Sequence, residues 1–346
     1  MGKRHHYIPR MLLKNFASSR DERNEKVFSF QIGVDGKASE FSTKNVAVEK
    51  YFYGKEFNTE EQLSEIEAAA DNAFQSIISG DNPNKHSDLL RKFIWLQSLR
   101  TRGIKLAFHE AFKNVVAEFS SSATKTNLQR RIEQRILNEF DEIIAKELPL
   151  QLPSERIVFQ ELMATPGFKR IAQEGMIAKL VKDNVTEILS RLLAAIGSSG
   201  IIEETIIGGY QKGINRATEQ VAPPESFCPK YWSVQNFEAH KLILGDLCVF
   251  AVDGNGGIGS LHKIGAVRKY VILPMAHNKL LIGMDLDEES NFKSDEVNYS
   301  SAALAWDYIY SSSGSENHEQ IASHIGTREP LVDSEEVKSI VQRAWI

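Results

Sequence analysis

Four residues in this chain pair a reactive side chain with surroundings that do not account for it: His5, His6, Arg100 and Asp246. The two histidines precede a short helix expected to begin at about Pro9, so they lie near free backbone N–H groups and the positive end of its dipole. That placement suits phosphate. It also keeps imidazole neutral, the form needed in a general base or a metal ligand. Adjacent residues of an extended segment point to opposite sides, so one histidine can line a site while the other packs or caps.

Arg100 is notable for geometry. At about 100° per residue, Phe93, Leu96, Arg100, Ile104, Ala107 and Ala111 form one stripe of a helix expected over 87–119. A guanidinium in an apolar face is costly unless it is paired or holds an anion. Glu67 on the preceding helix is the candidate structural partner; a phosphate or carboxylate clamp is the functional alternative. Asp246 interrupts an apolar strand expected over 241–252, in which Leu242, Leu244, Cys248 and Phe250 share a side. It either caps a loop or serves a site, and Gly245 permits a bulge that re-aims it. Burial would raise its pKa and a neighbouring cation would lower it.

If His6, Arg100 and Asp246 meet, with His5 beside them, the chemistry is that of a phosphate-containing substrate. Histidine would be base or metal ligand, arginine would stabilise developing negative charge, and aspartate would orient the histidine or bind a divalent metal. Sealed in a core, the same groups would instead fix the N-terminal segment against the helices. Other signals are weaker. Arg102 and His109 have an Arg-x6-His spacing, but on a continuous helix they would stand about 10 Å apart along the axis. Asp253-Gly254-Asn255-Gly256-Gly257 lacks the lysine and helix of a P-loop and reads as a strand connection. Asp285, Asp287, Glu288 and Glu289 read as a solvated acidic loop.

The elements that must position these residues follow from periodicity. Alternating runs at 27–32 and 41–43 around Gly33, Asp35 and Gly36 predict a β-hairpin, closed by Tyr51-Phe52-Tyr53. Helices are expected from Thr59 to Gly80, then over 87–119, 128–148, 154–163 and 168–196. After Pro223-Pro224 come short strands at 231–234, 241–252, and 269–273 with 279–282 around a turn at Pro274. Helices at 302–310 and near 337–345 close the chain. Strands, helices, strands is an α+β order. The N-terminal hairpin and C-terminal strands are expected in one sheet on a central helical bundle, divided as 1–55, 56–222 and 223–346 or continuous as one domain.

The 346 residues are 42% hydrophobic and 25% charged, an ordinary globular composition that needs neither metal nor disulfide to fold. A net charge of -5 gives no general attraction to nucleic acid, so such binding would rest on a local basic patch: Lys3, Arg4 and Arg10, with Lys14 and Arg20. Arg130, Arg131 and Arg135 read as a solvated helix face. The opening residues lack the apolar stretch of a signal peptide, and nothing approaches the roughly 20 apolar residues of a membrane helix. With Cys228 and Cys248 expected unbridged, the location expected is cytoplasmic, without membrane contact.

The opening Arg4-His5-His6-Tyr7-Ile8-Pro9-Arg10, with Leu13, Asn15 and Phe16, resembles a bacterial domain-of-unknown-function family whose members begin His-His-Tyr-(Ile/Val)-Pro. Lys44-Asn45-Val46 with Tyr51-Phe52-Tyr53, Ile66-Glu67, and Phe93-Ile94 to Leu99-Arg100-Thr101 resemble its later blocks, although Arg102 replaces a proline. Towards the end, Leu244-Gly245-Asp246-Leu247-Cys248-Val249 keeps only the aspartate and valine of Thr-Ser-Asp-Asn-Pro-Val, while Leu273-Pro274-Met275, Val297-Asn298, Ala305 and Tyr308-Ile309-Tyr310 resemble the closing blocks. The resemblance implies a role in anti-phage defence. The function expected is thus a defence or toxin-type effector on a phosphate-containing substrate, such as a nuclease; the alternative is a non-catalytic sensor or adaptor.

Overall fold

The N-terminal strand Asn24–Gln31 forms where β-branched and aromatic residues, Val27, Phe28 and Phe30, are interleaved with polar ones. The computed structural model describes residues 4–21, 24–34, 38–53, 58–106, 134, 137–138, 164, 166–177, 201–219 and 223–328. The chain divides into two compact units, Met1–Ala111 with Thr205–Ile346, and Phe112–Glu204. Within the second, the described residues include the helix α4 (Pro166–Ile177).

The first unit opens with β1 (Arg4–His6), which pairs antiparallel with β5 (Val48–Lys50), His6 opposite Val48. Helix α1 (Arg10–Asn15) starts after Pro9 and buries Met11, Leu12 and Leu13. Strands β2 (Ser19–Asp21), β3 (Asn24–Gln31) and β4 (Ser39–Ser42) form the expected hairpin region. Helices α2 (Asn58–Ile78) and α3 (Ser87–Leu99) then pack together, with the Phe74 and Phe93 rings edge to face at 5.1 Å. Helix α5 spans Ile201–Glu219.

The remainder is β6 (Tyr231–Asn236), β7 (Leu244–Gly245), β8 (Phe250–Asp253), β9 (Ile258–Gly259), α6 (Leu261–Ile264), β10 (Arg268–Ala276), β11 (Lys279–Met284), α7 (Ser294–Leu304), β12 (Tyr308–Ser311) and α8 (Glu316–Ala322). One sheet runs β2-β3-β12-β7 with β4 on β3, so the N-terminal hairpin does join C-terminal strands. The other C-terminal strands form a separate sheet, β6-β11-β10-β8-β9. The fold is α+β as expected; among the described residues the strands form three sheets, α2 packs on α3, and a central helical bundle is not clear.

Several element boundaries differ from the sequence expectation. The helix expected over 87–119 stops at Leu99: Arg100 leaves helical geometry, and Thr101 Oγ1 accepts the Ile104 N–H, starting a new turn over 102–106. The helix expected at 302–310 is α7 followed by β12, because the aromatic and β-branched Tyr308-Ile309-Tyr310 pairs with β3. The strand expected over 241–252 is broken after Gly245, and Pro274 lies inside β10 beside a register shift, not at a turn. Expected helices at 128–148, 154–163 and 337–345 lie essentially outside the described residues, as do the side chains of Arg130, Arg131 and Arg135. No described helix is long and apolar enough to cross a membrane.

Candidate functional site

The strand β1 delivers His5 and His6 to opposite sides, as its alternation requires. His5 is buried; its Nδ1 accepts the Tyr53 N–H at 3.1 Å, its ring stacks on Tyr53 at 5.4 Å, and its Nε2 lies 3.6 Å from Glu60 Oε2. The His6 ring is partly buried, with an Nδ1 that has no hydrogen-bond partner. Burial, then the charges of Arg10, Arg100 and Arg4, depress its pKa to about 4, so this imidazole is neutral.

Arg100, 3% exposed, is fully engaged. Its NH1 lies 2.5 Å from Glu67 Oε1, its Nε donates to the Tyr53 hydroxyl at 2.6 Å, and its NH2 donates to the His6 carbonyl at 3.1 Å. The Tyr53 hydroxyl in turn donates to the same carbonyl at 2.9 Å. Burial opposes the guanidinium charge, but Tyr53 and Glu67 outweigh it and hold the pKa above its ordinary value. Burial pushes the Tyr53 phenol up to about 12 against the pull of Arg100. His6 and Arg100 therefore meet, but through the backbone carbonyl of His6 and not through its ring.

Asp246 serves a different loop. It follows β7, is 2% exposed, and accepts three backbone N–H groups: Trp306 on Oδ1 at 2.6 Å, and Asp307 and Tyr308 on Oδ2 at 2.8 and 3.1 Å. Burial raises its pKa to about 6 although those three donors favour the charged form. Gly245 is required by close packing: a Cβ there would stand 2.5 Å from the Ser301 carbonyl oxygen on α7.

The basic patch is similarly committed. Arg10 and Lys14 both bind Glu25, at 2.6 and 3.1 Å, and Arg4 donates to Asn45 Oδ1 at 3.3 Å. Lys3 and His109 lie outside the described residues. Among the described residues, no three His, Cys, Asp or Glu side chains gather in a group that could hold a metal ion.

A cleft of about 510 Å³ was not foreseen from the sequence. Its floor is one face of the β4-β3-β12 ladder. Ser39 and Phe41, Ser29 and Gln31, and Tyr308 and Tyr310 are each two residues apart on their strands, and cross-strand register sets Ser39 beside Ser29 beside Tyr310, and Gln31 beside Tyr308. The opposite face buries Phe30 and Ile309 against Ile243, Ala302, Ala305 and Ile325. Tyr7, the segment Asn45 to Glu49, and Arg102 form the walls.

The wall is built with strain and charge. Ala47 holds φ at +51°, a left-handed conformation costing a non-glycine residue of order 1–3 kcal/mol, and its carbonyl accepts the Tyr7 N–H at 3.0 Å. The Tyr7 and Tyr310 hydroxyls hydrogen-bond to each other, and burial lifts both phenols above their ordinary range. Arg102, half-buried and not exposed as a continuous helix would have it, binds Asp307 and reaches Glu49 at 4.0 Å, while Lys105 also binds Glu49. By contrast, the side chains of Ser29, Gln31, Ser39 and Tyr308 make no hydrogen bond among the described residues. The available signal was the clustering of Tyr7, Asn45-Val46 and Tyr308-Ile309-Tyr310 in the blocks of the resemblance; reading 302–310 as helix hid it.

No curated protein and no solved structure matches the chain. The family model described as "Protein of unknown function (DUF4238)" matches residues 4–340, and with nearly its whole length so covered the chain belongs to that family.

Proposed function

We propose that the chain is a non-catalytic sensor of a bacterial anti-phage defence system, acting in the cytoplasm, with the sheet-floored cleft as its recognition site. The observation that carries this reading is a contrast in polar bookkeeping. Arg100 and Asp246, the strongest catalytic candidates, spend their hydrogen-bonding capacity on Glu67, Tyr53, the His6 carbonyl and three loop amides. The floor of the cleft keeps hydroxyl and amide groups open to a visitor. Arg10 and Lys14, which would be needed to hold a phosphate backbone, are both drawn to Glu25. Two unbridged cysteines fit a reducing compartment.

The test joins a host assay to a biochemical one. Cells carrying the gene should resist at least some phages, and Gln31→Ala with Ser39→Ala should abolish resistance without changing the melting temperature. Purified protein with Mg²⁺ or Mn²⁺ should leave single- and double-stranded DNA and RNA intact. Cleavage of any of these that disappears in His6→Ala would replace the sensor with a nuclease.

A further inference from the structure

We infer that the cleft takes an uncharged, planar, hydrogen-bonding ring, a nucleobase presented as a nucleoside; this rests on the reading of the cleft as the recognition site. Size is the first constraint. A volume of about 510 Å³ lies within the range of small-molecule sites. Phe41 is level with Val27 and Tyr308 with Gln31, four residues further along β3, so the two rings stand about 13 Å apart along the floor. That span accommodates a base with its sugar.

Charge is the second constraint. Among the described residues, the ionised side chains lining the wall are Arg102 and Glu49, and each has a partner, Asp307 for Arg102 and Lys105 for Glu49. Two positive and two negative groups already in contact favour a neutral ligand over an anion at this wall. The ligand part that enters is therefore neutral, and a phosphate contributes nothing inside.

Shape and hydrogen bonding supply the third. Phe41 is 47% exposed on the floor, an apolar ring open to stacking. Gln31 is a carboxamide that offers a donor and an acceptor in one plane, the arrangement that reads a base edge in a pair of hydrogen bonds, and Asn45 is a second carboxamide at the wall. Asn45 Oδ1 receives Arg4, which leaves its amide N–H groups for the cleft. Ser29, Ser39 and the Tyr308 hydroxyl suit the remaining edge and a sugar.

Titration calorimetry of the full-length protein with adenosine, guanosine, cytidine, uridine and thymidine, each also as its 5′-monophosphate, decides the matter. At least one free nucleoside should bind, and Gln31→Ala should weaken it roughly tenfold, the loss of about one hydrogen bond. Because Gln31 is exposed and makes no side-chain hydrogen bond in the fold, that variant should melt with wild type. No heat from any nucleoside, binding of monophosphates alone, or binding indifferent to Gln31→Ala would overturn the inference. Mass spectrometry of the recovered nucleoside separates the two claims: an unchanged molecule supports both, whereas a converted one keeps the ligand assignment and ends the non-catalytic reading.

Discussion

Arg100 sits where the helical stripe put it and pairs with the acid that the neighbouring helix offered, so its role is testable as a stability effect. Arg100→Ala strands the Glu67 carboxylate and removes two donors from Tyr53 and the His6 carbonyl. Because Glu67 is 25% exposed and water can reach it, the loss falls below that of a fully buried pair and comes to about 1–3 kcal/mol. Chemical denaturation should show a fall of that order, and Arg100→Lys should recover little of it, since an ammonium lacks the planar fork that serves three acceptors. A loss below about 1 kcal/mol would mean that the network is solvated. His6 and Asp246 make a paired pH prediction. The His6 pKa is lowered to about 4 in the fold against about 6.5 unfolded, so on acidification the unfolded chain takes the proton first and stability falls between those values. Asp246 is raised to about 6 against about 3.9 unfolded, so its contribution runs the other way: stability falls as pH rises from about 4 to about 6. Relative to wild type, His6→Ala should gain stability as pH drops from about 6.5 to 4, and Asp246→Asn should lose it. Parallel pH-stability curves for all three proteins would contradict both shifts.

At the scale of elements, the sequence was legible where periodicity was local and silent where pairing was distant. The hairpin, α1 and α2 follow from alternation, Pro9 and Gly80, each decided within a few residues. Strand β12 was misread because Ala302, Ala303 and Leu304 carry a helical pattern up to Ala305, and only pairing with β3, almost 280 residues earlier, makes Tyr308-Ile309-Tyr310 a strand. The break at Arg100 did carry a local signal, Ser98 and Thr101 bracketing it, which the apolar stripe outweighed. Asp246 was legible as a misfit in its strand, but its three amide partners arrive with the β12 loop and could not be assigned. Two glycines test the packing of elements directly. Gly245→Ala drives a methyl against the Ser301 carbonyl and should cost about 1–3 kcal/mol. Gly213→Ala, within α5 and with open space around it, should stabilise by roughly 0.5–1 kcal/mol. A Gly245→Ala protein that melts at or above wild type would show that β7 and α7 are not in close contact.

For the molecule as a whole, the first unit is assembled from the two ends of the chain. Asn15 Nδ2 donates to the Met275 carbonyl at 3.0 Å, the Asn84 amide brackets the backbone of Trp232, and β3 pairs with β12. Thr218 on α5 donates to Gln62 on α2 at 2.6 Å, so the returning helix belongs to the same body. Contacts of this kind cross the sequence gap without using residues 112–204, the second unit. Because α5 begins at Ile201, a cut at 204 would remove its first turn; excision of 112–200 keeps it. Joining the ends with a flexible Gly/Ser linker of about 20 residues gives an average span of roughly 25 Å and a modest closure cost. The excised chain should unfold in one cooperative transition, retain the hydrogen-exchange protection of β3, β10 and β11, and bind nucleoside as the full chain does. Loss of cooperativity would show that the second unit holds the two ends together; a folded chain that no longer binds would place part of the recognition site in residues 112–200.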